Sequence, residues 1–148
     1  MTYSSNLPTV LNTVNMRLLS IQRDEMTRLQ AFSLLAVMKE RIHIQGKDSN
    51  GAQIGTYTPA YIKQRMSAKY KRNGDSKVII SLTRQLENGW HPEEIANGYA
   101  LCLATQEDMQ KARWCEETYK KPIFAPTAEE WALVKQIGED YIAKHLAS

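Results

Sequence analysis

Between Tyr57 and Arg84 the chain interleaves Tyr57, Tyr61 and Tyr70 with Lys63, Arg65, Lys69, Lys71, Arg72, Lys77 and Arg84. From Lys63 to Arg84 these seven basic residues meet one acid, Asp75, whereas the rest of the chain carries twelve basic and fifteen acidic residues. A local excess of cations lowers the free energy beside a phosphate backbone, and each phosphate neutralised steepens the salt dependence of binding. The same charges also suit an acidic face on a neighbouring subunit, or keep a surface loop solvated. The seven cations are the expected contacts with DNA or with a neighbouring subunit.

Other residues capable of chemistry do not converge into a set. His43 alternates with Ile42 and Ile44 near a helix end and reads as structural. His91 precedes a proline in a turn, and His145 falls in the last turn of a helix, where a cation is favoured in any case. Cys102 lies in an apolar run; Cys115, beside Trp114 on a helix, is a nucleophile only if a base lies close. The two cysteines are thirteen positions apart, which is neither a zinc spacing nor a disulfide framework, so reduced thiols are expected. Glu116 and Glu117 sit among Lys111, Arg113 and Lys120 at helix-pairing distances. There is no phosphate loop, dinucleotide fingerprint or nucleophile elbow. The expectation is no catalytic centre, no metal and no cofactor.

These residues need a body to position them. A chain of 148 residues buries roughly 70% of its unfolded surface in one core, and 43% apolar with 24% charged residues is an ordinary globular composition. The expected organisation is one domain, 1–148, of class α+β: N-terminal helices in 1–45, a glycine-rich basic arm in 46–76, and a strand-helix-helix body in 77–148. Gly46, Gly51 and Gly55, with Lys47, Asp48, Ser49 and Asn50 between the first two, favour turns over helix or strand. They read as hinges of a long extended arm leaving a body in which N-terminal helices and a C-terminal helix pack on a small antiparallel sheet. The longest apolar run, Leu34–Met38, is far short of the ~20 residues that span a bilayer, and Met1–Asn6 lacks the features of a signal peptide. Both point to the cytosol.

In order, Pro8, Val10, Val14, Leu18 and Ile21 predict a first helix, and Met26, Leu29, Phe32, Leu35, Met38 and Ile42 a second. Gly46 either ends that helix or follows an already extended Arg41–Gln45. Thr58-Pro59 opens a short helix. Lys77–Leu82 is rich in β-branched residues and predicts a strand, with a helical turn over Leu82–Asn88 as the alternative. Asn97-Gly98 predicts a hairpin turn and Tyr99–Thr105 a core strand. Thr105 with Asp108 caps a helix to Tyr119, and the capping box Thr127-Ala-Glu-Glu130 opens the last one. Trp131, Val134, Ile137, Tyr141 and Ile142 lie on a single face of that helix.

The order of these pieces resembles a known family. Gly46-Lys-Asp-Ser-x-Gly-x-x-Ile-Gly-x-Tyr57, the basic loop, Leu82-Thr-Arg-Gln-Leu86, Glu116-Glu-Thr-Tyr119 and Ile123-Phe-Ala-Pro-Thr-Ala-Glu-Glu130 are similar in kind and order to the neck and tail-completion proteins of tailed bacteriophages. The likeness covers Arg41–Leu146. Arg84 stands where that family has a glycine, a position implying a tight turn or a close subunit contact. The resemblance implies a non-enzymatic α+β virion subunit, assembled in the host cytoplasm into a homo-oligomeric ring beneath the portal. Its implied partners are neighbouring portal, adaptor or tail proteins and the packaged DNA, with no membrane.

Overall fold

A computed structural model of the chain describes residues 11–13, 16 and 23–147. The positions that predict a first helix, Pro8, Val10, Val14, Leu18 and Ile21, lie outside the described residues; Leu11–Thr13 and Met16 are helical and exposed. The first long helix, α1 (Arg23–Lys39), opens with Asp24 and Glu25 and closes with Lys39, each opposing the helix dipole. Ala31, Leu34, Leu35 and Met38 form its buried face. The predicted stripe is buried at Leu35, Met38 and Ile42, but Leu29 and Phe32 are each 48% exposed. A π-helical stretch, Glu40–Gln45, continues α1 and ends at Gly46, whose φ of 66° is left-handed. Of the two sequence readings at this point, helix termination is the one the backbone adopts.

The glycine-rich turn after Gly46 lies on the body. The Asp48 carboxylate is buried and its Oδ1 accepts the Asn50 and Ala52 amides at 2.9 and 3.0 Å. The Ser49 amide and hydroxyl donate to the Pro122 and Ala125 carbonyls at 2.8 and 2.6 Å. Ile54 and Tyr57 then enter a core with Ile42, Val78 and Ile123. Burying one such side chain contributes about 1.5–3 kcal/mol, enough to hold a segment whose polar atoms are already satisfied. Gly46–Thr58, the first part of the expected arm, therefore lies on the body. Gly46 is a helix terminus and Gly55 backs onto the Tyr119 ring, so neither is a free hinge; only Gly51, φ 78°, faces open space.

Helix α2 (Pro59–Arg65) starts as predicted, the Thr58 hydroxyl accepting the Tyr61 amide. The expected strand over Lys77–Leu82 is reduced to one bridge, Thr56 to Lys77, and a Val78 amide bond to the Gly55 carbonyl at 3.1 Å. Pairing stops because Ile80 turns left-handed, φ 42°, a conformation rare for a β-branched residue. The chain then winds into the short helix α3 (Gln85–Asn88).

Strands β1 (Trp90–Ile95) and β2 (Gly98–Leu103) pair antiparallel, from Trp90 with Leu103 to Ile95 with Gly98. The turn is Ala96-Asn97, one residue earlier than predicted, and Gly98 begins β2. Pro92 is tolerated because each strand of a two-stranded ribbon keeps a free edge. Leu101 and Leu103 pack against Leu34, Leu35 and Met38 of α1 and against Trp90 of β1. Every residue of β2 is half-buried, less than the core strand predicted, because a two-stranded ribbon is not enclosed. Helices α4 (Gln106–Tyr119) and α5 (Ala128–Ala147) begin at the predicted caps, Thr105 and Thr127. Helix α5 packs along α1, where the Gln30 side chain donates to the Val134 carbonyl at 2.8 Å and the Tyr141 hydroxyl to Glu25 at 2.8 Å. Its predicted apolar face is only partly inward, since Trp131 is 55% exposed. The fold class is α+β, with its two core clusters joined by Phe124.

Candidate functional site

Three side chains from different elements converge on the backbone of Ile80–Leu82. Arg65, at the end of α2, is 1% exposed; its Nη1 donates to the Ser81 carbonyl at 2.9 Å and to the Tyr57 hydroxyl at 3.3 Å, while its guanidinium lies 4.5 Å from the Tyr57 ring centroid. Arg72 donates to the Leu82 carbonyl at 3.1 Å and to the Ser81 hydroxyl at 3.0 Å, and that hydroxyl donates to Glu87 at 3.1 Å. His43 Nδ1 lies 2.9 Å from the Ile80 carbonyl, which can only accept, so Nδ1 carries the proton. Together these bonds hold the left-handed turn at Ile80.

This corrects part of the expected contact set. Arg65 is interior, its guanidinium met by the Ser81 carbonyl, the Tyr57 hydroxyl and the Tyr57 ring face. Arg72 is half-buried and committed to the same turn. Lys77 is half-buried, while Lys63, Lys69, Lys71 and Arg84 are exposed. Among the described residues, none of Lys63, Lys69, Lys71, Lys77 or Arg84 forms an ion pair.

The turn positions the segment Leu82-Thr83-Arg84, which is a shared wall of two hollows. One is a basic groove of about 510 Å³ lined also by Lys69, Tyr70, Lys71 and Arg72. The other, of about 420 Å³, is aromatic, with Tyr57, Tyr61, Trp114, Cys115 and Tyr119 around it. Neither hollow is lined by an aspartate or glutamate. Trp114 is 57% exposed at the aromatic hollow. Lys111, on its rim, is engaged with Glu107 at 2.7 Å and Gln85 at 2.8 Å. Arg84 adopts a left-handed φ of 62° at the start of α3.

Sequence reasoning found the groove's cations but missed the aromatic hollow. Its signal is present in α4, where Lys111, Trp114, Cys115, Thr118 and Tyr119 recur at three- and four-residue spacings and share a face. What the spacing could not show is that Tyr57 and Tyr61 come to meet that face. Burial, then the neighbouring Glu116, pushes the Cys115 thiol up, so it stays protonated at neutral pH and is a poor nucleophile. Burial, then Tyr57 and Cys115, raises Tyr119 to about 12. Both are neutral lining groups. Among the described residues no group of three or more His, Cys, Asp or Glu could hold a metal ion, and no helix is long and apolar enough to cross a membrane. No protein-family model, curated protein or solved structure matches the chain.

His43 makes the turn at Ile80 sensitive to acid. Burial lowers its pKa below the ordinary 6.5, outweighing the carbonyl of Ile80 and the charge of Glu87, which raise it. The unfolded chain therefore takes the proton first. This stabilising contribution is complete above pH 6.5 and is lost as pH falls from there through the folded value. Urea unfolding between pH 7.5 and 5 should show stability falling by up to about 1.4 kcal/mol per pH unit, with a flatter profile in His43→Gln. An unchanged slope in the variant would assign the acid sensitivity elsewhere.

Proposed function

We propose that this chain is a structural subunit of the head-to-tail connector of a tailed bacteriophage, a neck or tail-completion ring around the DNA path, and that it is not an enzyme. The observation that carries this reading is Arg84. In the family that the sequence resembles, a glycine follows Leu-Thr, and here the residue after Leu82-Thr83 holds the left-handed φ of 62° that a glycine adopts freely. A left-handed residue there is compatible with the tight turn that the resemblance implies at that position. Further support comes from Trp114 on α4 and Trp131 on α5, both more than half exposed and lining separate hollows. A cyclic ring needs two different surfaces that meet head to tail, and tryptophans are favoured anchors of such contacts. With the glycine-rich turn attached to its own body, contact between such surfaces replaces the exchange of an arm.

Co-expression with the portal and neighbouring neck proteins of the same phage or prophage tests the reading. Native mass spectrometry and electron microscopy should find the chain in rings, and purified particles should contain it. A chain that stays apart from those rings and is missing from particles overturns the proposal. A second reading, a free nucleic-acid-binding protein using residues 63–84, is favoured by the groove of Lys69, Lys71, Arg72 and Arg84.

A further inference from the structure

We propose that the basic groove and the aromatic hollow are two halves of one site for single-stranded nucleic acid, with phosphates along the groove and an unstacked base in the hollow. The inference rests on the groove of the second reading and concerns the chain outside a ring, because Trp114 cannot at once anchor a neighbour and stack on a base. Its starting point is the shared wall. Leu82, Thr83 and Arg84 border both hollows, so a strand whose phosphates follow Lys69, Lys71 and Arg84 has its next base beside Trp114.

Charge favours a polyanion. Those three cations are exposed, form no ion pair among the described residues, and face no carboxylate in either lining. The aromatic hollow selects which polyanion. At about 420 Å³ it falls in the range of small-ligand pockets, and Trp114 stands exposed in it beside the half-buried Tyr61 and Tyr119. A paired base enters only after unpairing and unstacking, whereas a single strand splays one out at less cost. An acidic peptide would use the cations but leave the exposed Trp114 without a role.

The site is also stiff where it must discriminate. Lys71, Ile80 and Arg84 all hold left-handed backbone, and His43, Arg65 and Arg72 pin the carbonyls of Ile80 to Leu82. A wall fixed before binding costs little ordering entropy when the strand arrives.

The test measures fluorescence anisotropy of the full-length protein with a labelled ten-residue oligothymidylate, a duplex of the same length, and polyglutamate as competitor. Oligothymidylate should bind tighter than the duplex, with affinity falling as salt rises by a slope of about −0.7 per phosphate neutralised. Trp114→Ala should weaken it about tenfold and Trp114→Phe much less, because Phe keeps a ring to stack on. Arg84→Gly, which suits the left-handed backbone, should weaken binding and reduce the salt slope by about one contact. Equal affinity for the duplex with Trp114→Ala silent would leave an electrostatic groove and overturn the composite site. Polyglutamate competing as well as oligothymidylate, or no binding of either nucleic acid at low salt, would also overturn it. None of these outcomes bears on whether the chain enters rings.

Discussion

Glu130→Ala should lower the free energy of unfolding by about 3–5 kcal/mol, read as a lower urea midpoint at unchanged slope. Arg41 and Glu130 are both buried, and the carboxylate meets the guanidinium at 2.7 Å to Nε and 3.3 Å to Nη2. The other guanidinium hydrogens go to the carbonyls of Lys47, Ile123 and Ala125 at 3.1, 3.0 and 3.0 Å. All five donors are used, so one side chain ties the end of α1 to the glycine-rich turn, the Lys121–Pro126 strap and α5. Glu130 also closes the capping box, its Oε2 accepting the Thr127 amide at 2.7 Å while the Thr127 hydroxyl accepts the Glu130 amide at 3.1 Å. Alanine leaves a buried cation short of its counter-charge and an orphaned helix amide. Most of the loss is that stranded charge, so Arg41→Met combined with Glu130→Leu should recover much of it. A single-variant loss below about 1 kcal/mol would show that water reaches Arg41 and that the pair is not a buried one.

Gly46→Ala should destabilise the fold by about 2–5 kcal/mol, combining about 1–2 for a left-handed non-glycine residue with about 1–3 for overpacking. At φ 66° a Cβ would overlap the Val78 carbonyl oxygen, and that atom is backbone on a fully buried residue. It cannot swing aside as a side-chain tip would. Gly51→Ala is the matched control: its φ of 78° carries the same conformational cost, but nothing lies within 4 Å of the new Cβ. Thermal unfolding of the pair separates conformation from contact. Equal losses in the two variants would mean that the Val78 carbonyl gives way freely.

The origin of these effects shows what kind of information a sequence carries. Thr58-Pro59, Thr105 with Asp108, and Thr127 with Glu130 are helix starts whose partners lie within four residues, and each forms as predicted. The hairpin was legible to within one residue, because Asn97-Gly98 marks a turn but the strand pairing decides which two residues occupy it. The basic segment was legible as charge but not as burial. Lysines and arginines look alike in a charge count, yet Lys71 and Arg84 are outside while Arg65 is inside, because only there do a tyrosine face and two oxygen acceptors surround a guanidinium.

From its sequence alone this protein was determined to be α+β, with helix starts at Thr58, Thr105 and Thr127, a hairpin turn placed to within one residue, and cations gathered between Lys63 and Arg84. Tertiary structure alone decided that Arg41 pairs with Glu130 across 89 positions, that Ile54 and Tyr57 draw the glycine-rich turn onto the body, and that Tyr57, Tyr61, Trp114 and Tyr119 enclose one hollow. The division follows from distance along the chain. Caps and turns are settled by bonds that close within one helical turn, whereas a buried charge or a pocket exists only once remote segments supply its acceptors and walls.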